Sequence, residues 1–225
     1  MSFPIVGLLT IGQSSRNDLF QEIKKLIDSR IKIIEAGVLD DLSEEELAEL
    51  TPLAGEFPLI TKIKGNKSLI VSKNKISPLL EKKINYLHKA GAELITILCT
   101  TPFDTLPAKT FVLKTGNLLN SLIAELLHNG KLGVLIPLKE QVEISKIRWK
   151  NLGIDAIVEY ASPYGDLSDL KKAASRLSNI EELSLILMDC LGYSLKMKEM
   201  ISSFFQAPII LPRTLISSVI NELVR

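Results

Sequence analysis

Two cysteines carry the most reactive side chains in this sequence. Each stands where an apolar run ends: Leu94-Ile95-Thr96-Ile97-Leu98-Cys99 and Leu183-Ser184-Leu185-Ile186-Leu187-Met188-Asp189-Cys190. A thiol at a strand end, facing a helix N-terminus, has its pKa drawn from about 8.5 toward neutrality by the positive end of the helix dipole. It then serves as a base. Two such thiols on opposite sides of a carbon acid remove a proton from one face and return one to the other, so that Cys99 and Cys190 would exchange roles with the hand of the substrate. The competing reading is packing alone, because free cysteine is among the most buried residue types.

A second feature lies after the first apolar run. Arg16 follows Gly12-Gln13-Ser14-Ser15 at a strand-to-helix turn, where backbone N–H groups and the guanidinium would meet one carboxylate. The alternative is a solvated first-turn arginine. Asp18 fits the first turn of the same helix and complements its dipole. Asp189 directly precedes Cys190 and, in extended geometry, points to the other side of the strand, as a structural hydrogen-bonding group would.

These residues need a scaffold, and the pattern of the chain supplies one. Short apolar runs alternate with longer segments whose apolar residues recur at three and four, the signature of a parallel sheet flanked by helices. Strands are expected at Ile5 to Ile11, Ile31 to Ile34, Leu59 to Ile63 with Ser68 to Ser72 as a hairpin, Leu94 to Leu98, Gly133 to Ile136, Ala156 to Glu159, Leu183 to Met188 and Ile209 to Leu211. Helical core stripes run through Leu19, Ile23, Leu26 and Ile27; Leu119, Leu122, Ile123 and Leu126; Met197, Met200, Ile201 and Phe204; and Leu215, Val219 and Leu223. Ser43 and Glu46 have capping-box spacing at the head of an acidic helix.

Lys114-Thr115-Gly116-Asn117 marks a boundary between halves. The expected domains are residues 1–115 with about 209–225 packing back, and residues 116–208. Both cysteines end comparable strands, a weak sign of an internal repeat. In open α/β sheets ligands bind outside the carboxyl ends of the strands. Thr10 to Arg16, both cysteines, Pro137, Ser162-Pro163-Tyr164 and Pro212-Arg213-Thr214 all fall at such ends.

Composition removes several classes of function. Lys plus Arg number 27 against 26 Asp plus Glu, with no long block of one sign, so the basic surface that holds nucleic acid or acidic membrane is missing. Neither of the two cysteines sits in a C-x-x-C pair, and two cannot build a secreted disulfide framework, so a reduced cytoplasm is expected. The apolar start from Phe3 to Ile11 has no preceding Lys or Arg and no cleavage site after it, and reads as a first strand. No run approaches membrane-spanning length. There is no G-x-G-x-x-G and no Walker loop; Gly65-Asn66-Lys67-Ser68 lacks the upstream glycine. His88 and His128 have no third ligand at metal spacing, so neither a metal nor a nucleotide cofactor is expected. Trp149, near a helix end, reads as core or interface.

Taken together, Thr10-Ile-Gly-Gln-Ser-Ser-Arg16-Asn-Asp18, Ala36-Gly-Val-Leu-Asp40, Leu98-Cys-Thr-Thr-Pro-Phe103, Gly133-Val-Leu-Ile-Pro137 with Gln141 and Trp149, Ser162-Pro-Tyr164 and Asp189-Cys-Leu-Gly-Tyr193 resemble the AroM family over essentially the whole chain. That family in turn is similar to the aspartate, glutamate and hydantoin racemase group of cofactor-independent enzymes. The resemblance implies two similar parallel-sheet α/β halves, with the site in the cleft between them and one catalytic cysteine from each, here Cys99 and Cys190. The sequence departs from the racemases in three places. Thr100-Thr101 replace Asn-Thr after the first cysteine, Leu191-Gly192 replace Thr-His after the second, and Gln13-Ser14 replace the early Asp-Ser.

The reading that results is a racemase-like or isomerase-like enzyme acting on a small carboxylate-bearing carbon acid. Gln13, Ser14, Ser15, Arg16, Thr100, Thr101, Tyr164, Gly192 and Tyr193 are the expected substrate contacts. A homo-oligomer is compatible with it. The alternatives are a noncatalytic protein that senses a small anionic metabolite, and a lyase or decarboxylase that uses a single thiol.

Overall fold

The computed structural model describes residues 4–104 and 106–224. Phe3 and the extreme ends of the expected first domain lie outside the described residues. The chain divides into two compact units, residues 4–117 with 216–224 and residues 118–215.

The first unit is built on a sheet of four parallel strands, β1 (Ile5–Thr10), β2 (Lys32–Gly37), β5 (Leu94–Leu98) and β6 (Phe111–Lys114), in the order β2-β1-β5-β6. All five residues of β5 are buried, as expected of a central strand covered on both faces. Helices α1 (Asn17–Leu26) and α3 (Lys73–Lys89) supply the cover, α3 burying Ile76, Leu80, Ile84 and Leu87 on one stripe. Between β2 and α3 the chain inserts α2 (Glu44–Glu49) and an antiparallel hairpin, β3 (Pro58–Ile63) and β4 (Lys67–Ser72). Ser43 and Glu46 close the expected capping box on α2. Gly65 lies in the hairpin turn at φ 73° rather than in a phosphate loop.

The second unit repeats this topology. Strands β7 (Lys131–Ile136), β8 (Ala156–Tyr160), β9 (Leu183–Met188) and β10 (Ile209–Ile210) are parallel in the order β10-β9-β7-β8. Each sheet therefore has its first strand inside, its second on one flank, and its third and fourth on the other. Helices α4 (Thr115–Leu126), α5 (Val142–Asn151), α6 (Leu167–Ser178), α7 (Leu195–Ser202) and α8 (Pro212–Leu223) complete the chain.

Two expectations change. β10 hydrogen-bonds to β9, so Ile209 and Ile210 stay in the second sheet, where a β9-α7-β10 crossover naturally lands. Only the later part of α8 joins the first unit, where Asn221 accepts from the Asp28 N–H and donates to the Leu26 carbonyl. In addition, β6 is a strand that the sequence pattern missed, because its apolar run, Phe111-Val112-Leu113, is only three residues long and is followed by Lys114. Among the described residues no helix is long and apolar enough to cross a membrane, and no group of three or more His, Cys, Asp or Glu is placed to hold a metal ion.

Candidate active site

In each sheet the strand order reverses beside the first strand, and in open α/β sheets ligands bind at that point, outside the carboxyl ends. In the first unit that point lies between β1 and β5, where Thr10 is paired with Leu98. The segments that leave it are Ile11 to Arg16 and Cys99 to Thr101. In the second unit it lies between β7 and β9, where Leu135 is paired with Met188. Pro137 and Asp189-Cys190 leave that edge. The two cysteines thus follow topologically equivalent strands. The two-residue difference in their spacing from Glu93 and Glu182 has a local cause: β9 is one residue longer than β5, and Asp189 intervenes before Cys190.

The loop after β1 is held by Asp40, a residue whose role the sequence did not disclose. Its carboxylate accepts from the Ser14 N–H at 2.6 Å, the Ser14 hydroxyl at 2.8 Å and the Gly37 N–H at 2.7 Å. Gln13 is also engaged. Its amide nitrogen donates to the Leu39 carbonyl and its amide oxygen accepts from the Lys64 N–H, so this side chain ties the loop to the β3–β4 hairpin. Arg16 is buried and binds Asp18 through Nε and Nη2 at 2.9 and 2.8 Å. Asp18 therefore does more than complement the helix dipole: it already occupies much of the fork expected to grip a substrate carboxylate. Ser15 is exposed, its hydroxyl donating to Asn17. A cavity of about 480 Å³ lies beside the loop, walled by Ser15, Arg16, Asn17, Lys62, Lys64 and Asn66.

Cys99 is 7% exposed and packs into the apolar core of the first unit. Thr100 and Thr101 beside it are buried. The start of α4 is strapped against this segment. The Thr115 hydroxyl donates to the Ile97 carbonyl at 2.7 Å, and the Asn117 side-chain oxygen accepts from the Phe103 N–H at 3.1 Å.

Cys190 has a different setting. It is half-buried, and its Sγ accepts from the Gly192 N–H at 3.3 Å. This is the kind of bond that favours a thiolate over a thiol. A side chain at Gly192 would force its neighbours to move, because a Cβ would stand 2.6 Å from a Pro163 ring carbon and 2.7 Å from the Tyr164 hydroxyl. Asp189 turns away to Arg148, whose Nη1 lies 2.9 Å from Oδ2, in keeping with a structural role. Arg148 also donates to Asn120 and stacks over Trp149, itself wholly buried in the core of the second unit. Arg213, in the first turn of α8, is 1% exposed and binds the carbonyls of Leu191 and Gly192. The sequence placed Arg213 at a strand end but gave it no task. The available signal was a lone cation between the apolar runs Ile209 to Leu211 and Leu215 to Ile216.

Tyr193 was an expected substrate contact, but its hydroxyl donates to the Ala161 carbonyl at 2.6 Å and the side chain is fully buried. Burial raises its pKa well above the ordinary 10, and the neighbouring Cys190, Asp189 and Tyr164 push the same way. The folded protein therefore holds this proton more tightly than the unfolded chain does. The stability so gained is complete below about pH 10 and is lost as the pH climbs toward the folded value. Tyr193→Phe is expected to cost about 1–2 kcal/mol at pH 8, through the stranded Ala161 carbonyl, and to lose less stability than the wild type between pH 8 and 11. Urea midpoints measured across that range check both effects.

Solved structures with the same architecture define its class. Glutamate racemase from Aquifex pyrophilus superposes with a TM-score of 0.60 at 14% identity, covering 98% of this chain and 84% of its own. The maleate isomerase Iso from Pseudomonas putida S16 gives 0.61 at 14% identity, covering 97% and 93%. Arylmalonate decarboxylase gives 0.60 at 11% identity, covering 98% and 92%. The fold is thus that of the racemase, isomerase and decarboxylase group. Within that class the chain belongs to the AroM family, whose model, described as AroM protein, matches residues 6–224. No curated protein matches the chain.

Proposed function

We propose that this protein is a cofactor-independent, racemase-like or isomerase-like enzyme of the reducing cytoplasm, acting on a small carbon acid that bears a carboxylate. The observation that carries this reading is the topological equivalence of Cys99 and Cys190, each leaving the third strand of its sheet at the point where ligands of α/β folds bind. The fold shared with glutamate racemase and maleate isomerase supports it.

In the forward half-reaction one thiolate takes the proton from the α-carbon. The C–H electron pair moves into the carboxylate as an enolate-like dianion, and the other cysteine's thiol then delivers its proton to the opposite face. The next turnover starts from the reversed protonation state. An α-proton next to a carboxylate is very weakly acidic and a thiolate is a moderate base, so fixed donors must stabilise the developing charge. Ser15, Thr100, Thr101, Tyr164 and the backbone N–H groups of both loops are the donors we assign to that task. Ser14, Arg16 and Tyr193 act through the loop architecture, given their existing bonds.

The contrast between the two thiols favours one alternative. Cys190 is accessible and receives an N–H bond, whereas Cys99 lies in an apolar core. In a decarboxylase the C–COO⁻ bond would break, CO₂ would leave, the electron pair would remain on carbon, and the Cys190 thiol alone would protonate it.

Incubation in heavy water with amino acids, hydroxy acids and malonate-type acids, followed by mass spectrometry, tests these readings. The two-base reading expects α-deuteration that falls by at least about a hundredfold in both Cys99→Ala and Cys190→Ala. Loss in Cys190→Ala alone would replace it with the single-thiol reaction. No exchange with any substrate, together with a raised melting temperature in the presence of one of them, would make the protein a sensor.

A further inference from the structure

We infer that Arg213 is a positioning residue for Cys190, holding the peptide group between Leu191 and Gly192 so that its N–H is aimed at the sulfur. This rests on the reading of Cys190 as an acid–base residue. The geometry is specific. The Leu191 carbonyl and the Gly192 N–H belong to one planar peptide, and in a trans peptide they point in opposite directions. Nε of Arg213 donates to that carbonyl at 2.6 Å on one side, and the N–H donates to Sγ of Cys190 at 3.3 Å on the other. Nη2 donates to the next carbonyl, that of Gly192, at 3.0 Å, which fixes the following peptide plane as well.

The consequence is electrostatic as well as steric. A cation bound to a carbonyl oxygen withdraws electron density through the amide and makes the attached N–H a stronger donor. Because Arg213 is 1% exposed, its charge is little screened by water. A buried guanidinium is a costly group to keep unless the carbonyls it binds matter. Among the described residues, ionisable groups near Cys190 include Asp189, which is paired with Arg148, and the hydroxyls of Tyr193 and Tyr164. The Asp189 carboxylate disfavours a thiolate, as a neutral tyrosine hydroxyl does not, and the Arg213-backed N–H acts against that repulsion. The turn is closed by the Tyr193 N–H donating to the Cys190 carbonyl, and the bare α-carbon of Gly192 leaves room for it beneath Tyr164.

The test is alkylation of the full-length protein by iodoacetamide between pH 5 and 10, with Cys190 and Cys99 quantified separately by peptide mass spectrometry. In Arg213→Met the Cys190 midpoint should rise by about one pH unit, giving about tenfold slower alkylation at pH 7, while the Cys99 midpoint stays where it was. Arg213→Lys should recover part of the shift, because the ammonium restores charge but not the two-carbonyl fork. An unchanged Cys190 midpoint in a folded Arg213→Met variant would overturn the inference. Should that variant fail to fold, the wild-type Gly192 amide proton decides. Its NMR resonance should move downfield as Cys190 ionises, and an amide insensitive to that ionisation would sink the proposal. A normal alkylation result with no deuterium exchange would leave Arg213 as assigned and remove the proposed activity. Exchange with no Arg213 effect would do the reverse.

Discussion

Arg148→Met is expected to destabilise the second unit by about 3–5 kcal/mol, the cost of removing one partner from a buried ion pair. Asp189 has only 5% of its side chain exposed and Arg148 16%, so water cannot replace the guanidinium where it meets Oδ2. The substitution also removes both bonds to Asn120 on α4 and the guanidinium over Trp149. Methionine has nearly the same length, so packing volume is not the main loss. A double-mutant cycle separates the causes. Asp189→Asn combined with Arg148→Met removes the stranded charge and should be less destabilised than the sum of the single variants by about 1–3 kcal/mol. Urea denaturation of the four proteins measures this. Additive losses would mean that Arg148 contributes through Asn120 and Trp149 alone. Because Asp189 is the residue before Cys190, the loss should also slow any reaction that depends on Cys190.

Gly116→Ala is the second large effect, and two opposing magnitudes decide its sign. Alanine at a helical position gains up to about 1 kcal/mol over glycine. Here the new Cβ would stand 2.4 Å from the Thr100 oxygen, 2.5 Å from the Thr101 carbonyl carbon and 2.6 Å from the Pro102 nitrogen. All three are backbone atoms, and the bonds from Thr115 and Asn117 hold the helix start against them. Overpacking against groups that cannot rotate away costs about 1–3 kcal/mol and occasionally more, so the net is destabilising. The segment displaced is the one that follows Cys99. We therefore expect a lower melting temperature and altered alkylation of Cys99, with Cys190 alkylated at the wild-type rate. A variant as stable as the wild type, with both thiols unchanged, would contradict the close approach.

Both predictions turn on contacts between residues far apart in the chain, and this is where the sequence was least legible. Asp40 lies 26 positions from Ser14, Arg148 lies 41 from Asp189, and Arg213 lies 22 from Leu191. Hydrogen-bond partners at such separations leave no periodic trace. The same limit applies to the residues expected at the substrate. Gln13, Arg16 and Tyr193 have the right types at the right strand ends, yet Leu39, Lys64, Asp18 and Ala161 take up their polar groups. The β3–β4 hairpin, by contrast, was readable from two short apolar segments flanking Gly65. Helix α3 is marked in the same local way, by Ile76, Leu80, Ile84 and Leu87 at the helical period, with Pro78 inside it.

What the sequence determined by itself is the set of elements and the chemistry available at their ends. Hydrophobic period and turn residues act over a few positions, and they suffice to make parallel strands, covering helices and two cysteines at strand termini. Which strands become neighbours, and therefore which loop meets which thiol, was decided only when the sheets formed. The reason is physical: sheet order, a buried guanidinium's choice of carbonyl and the crowding a Cβ would meet at Gly116 or Gly192 all depend on distances across the fold, and local patterning carries no information about those.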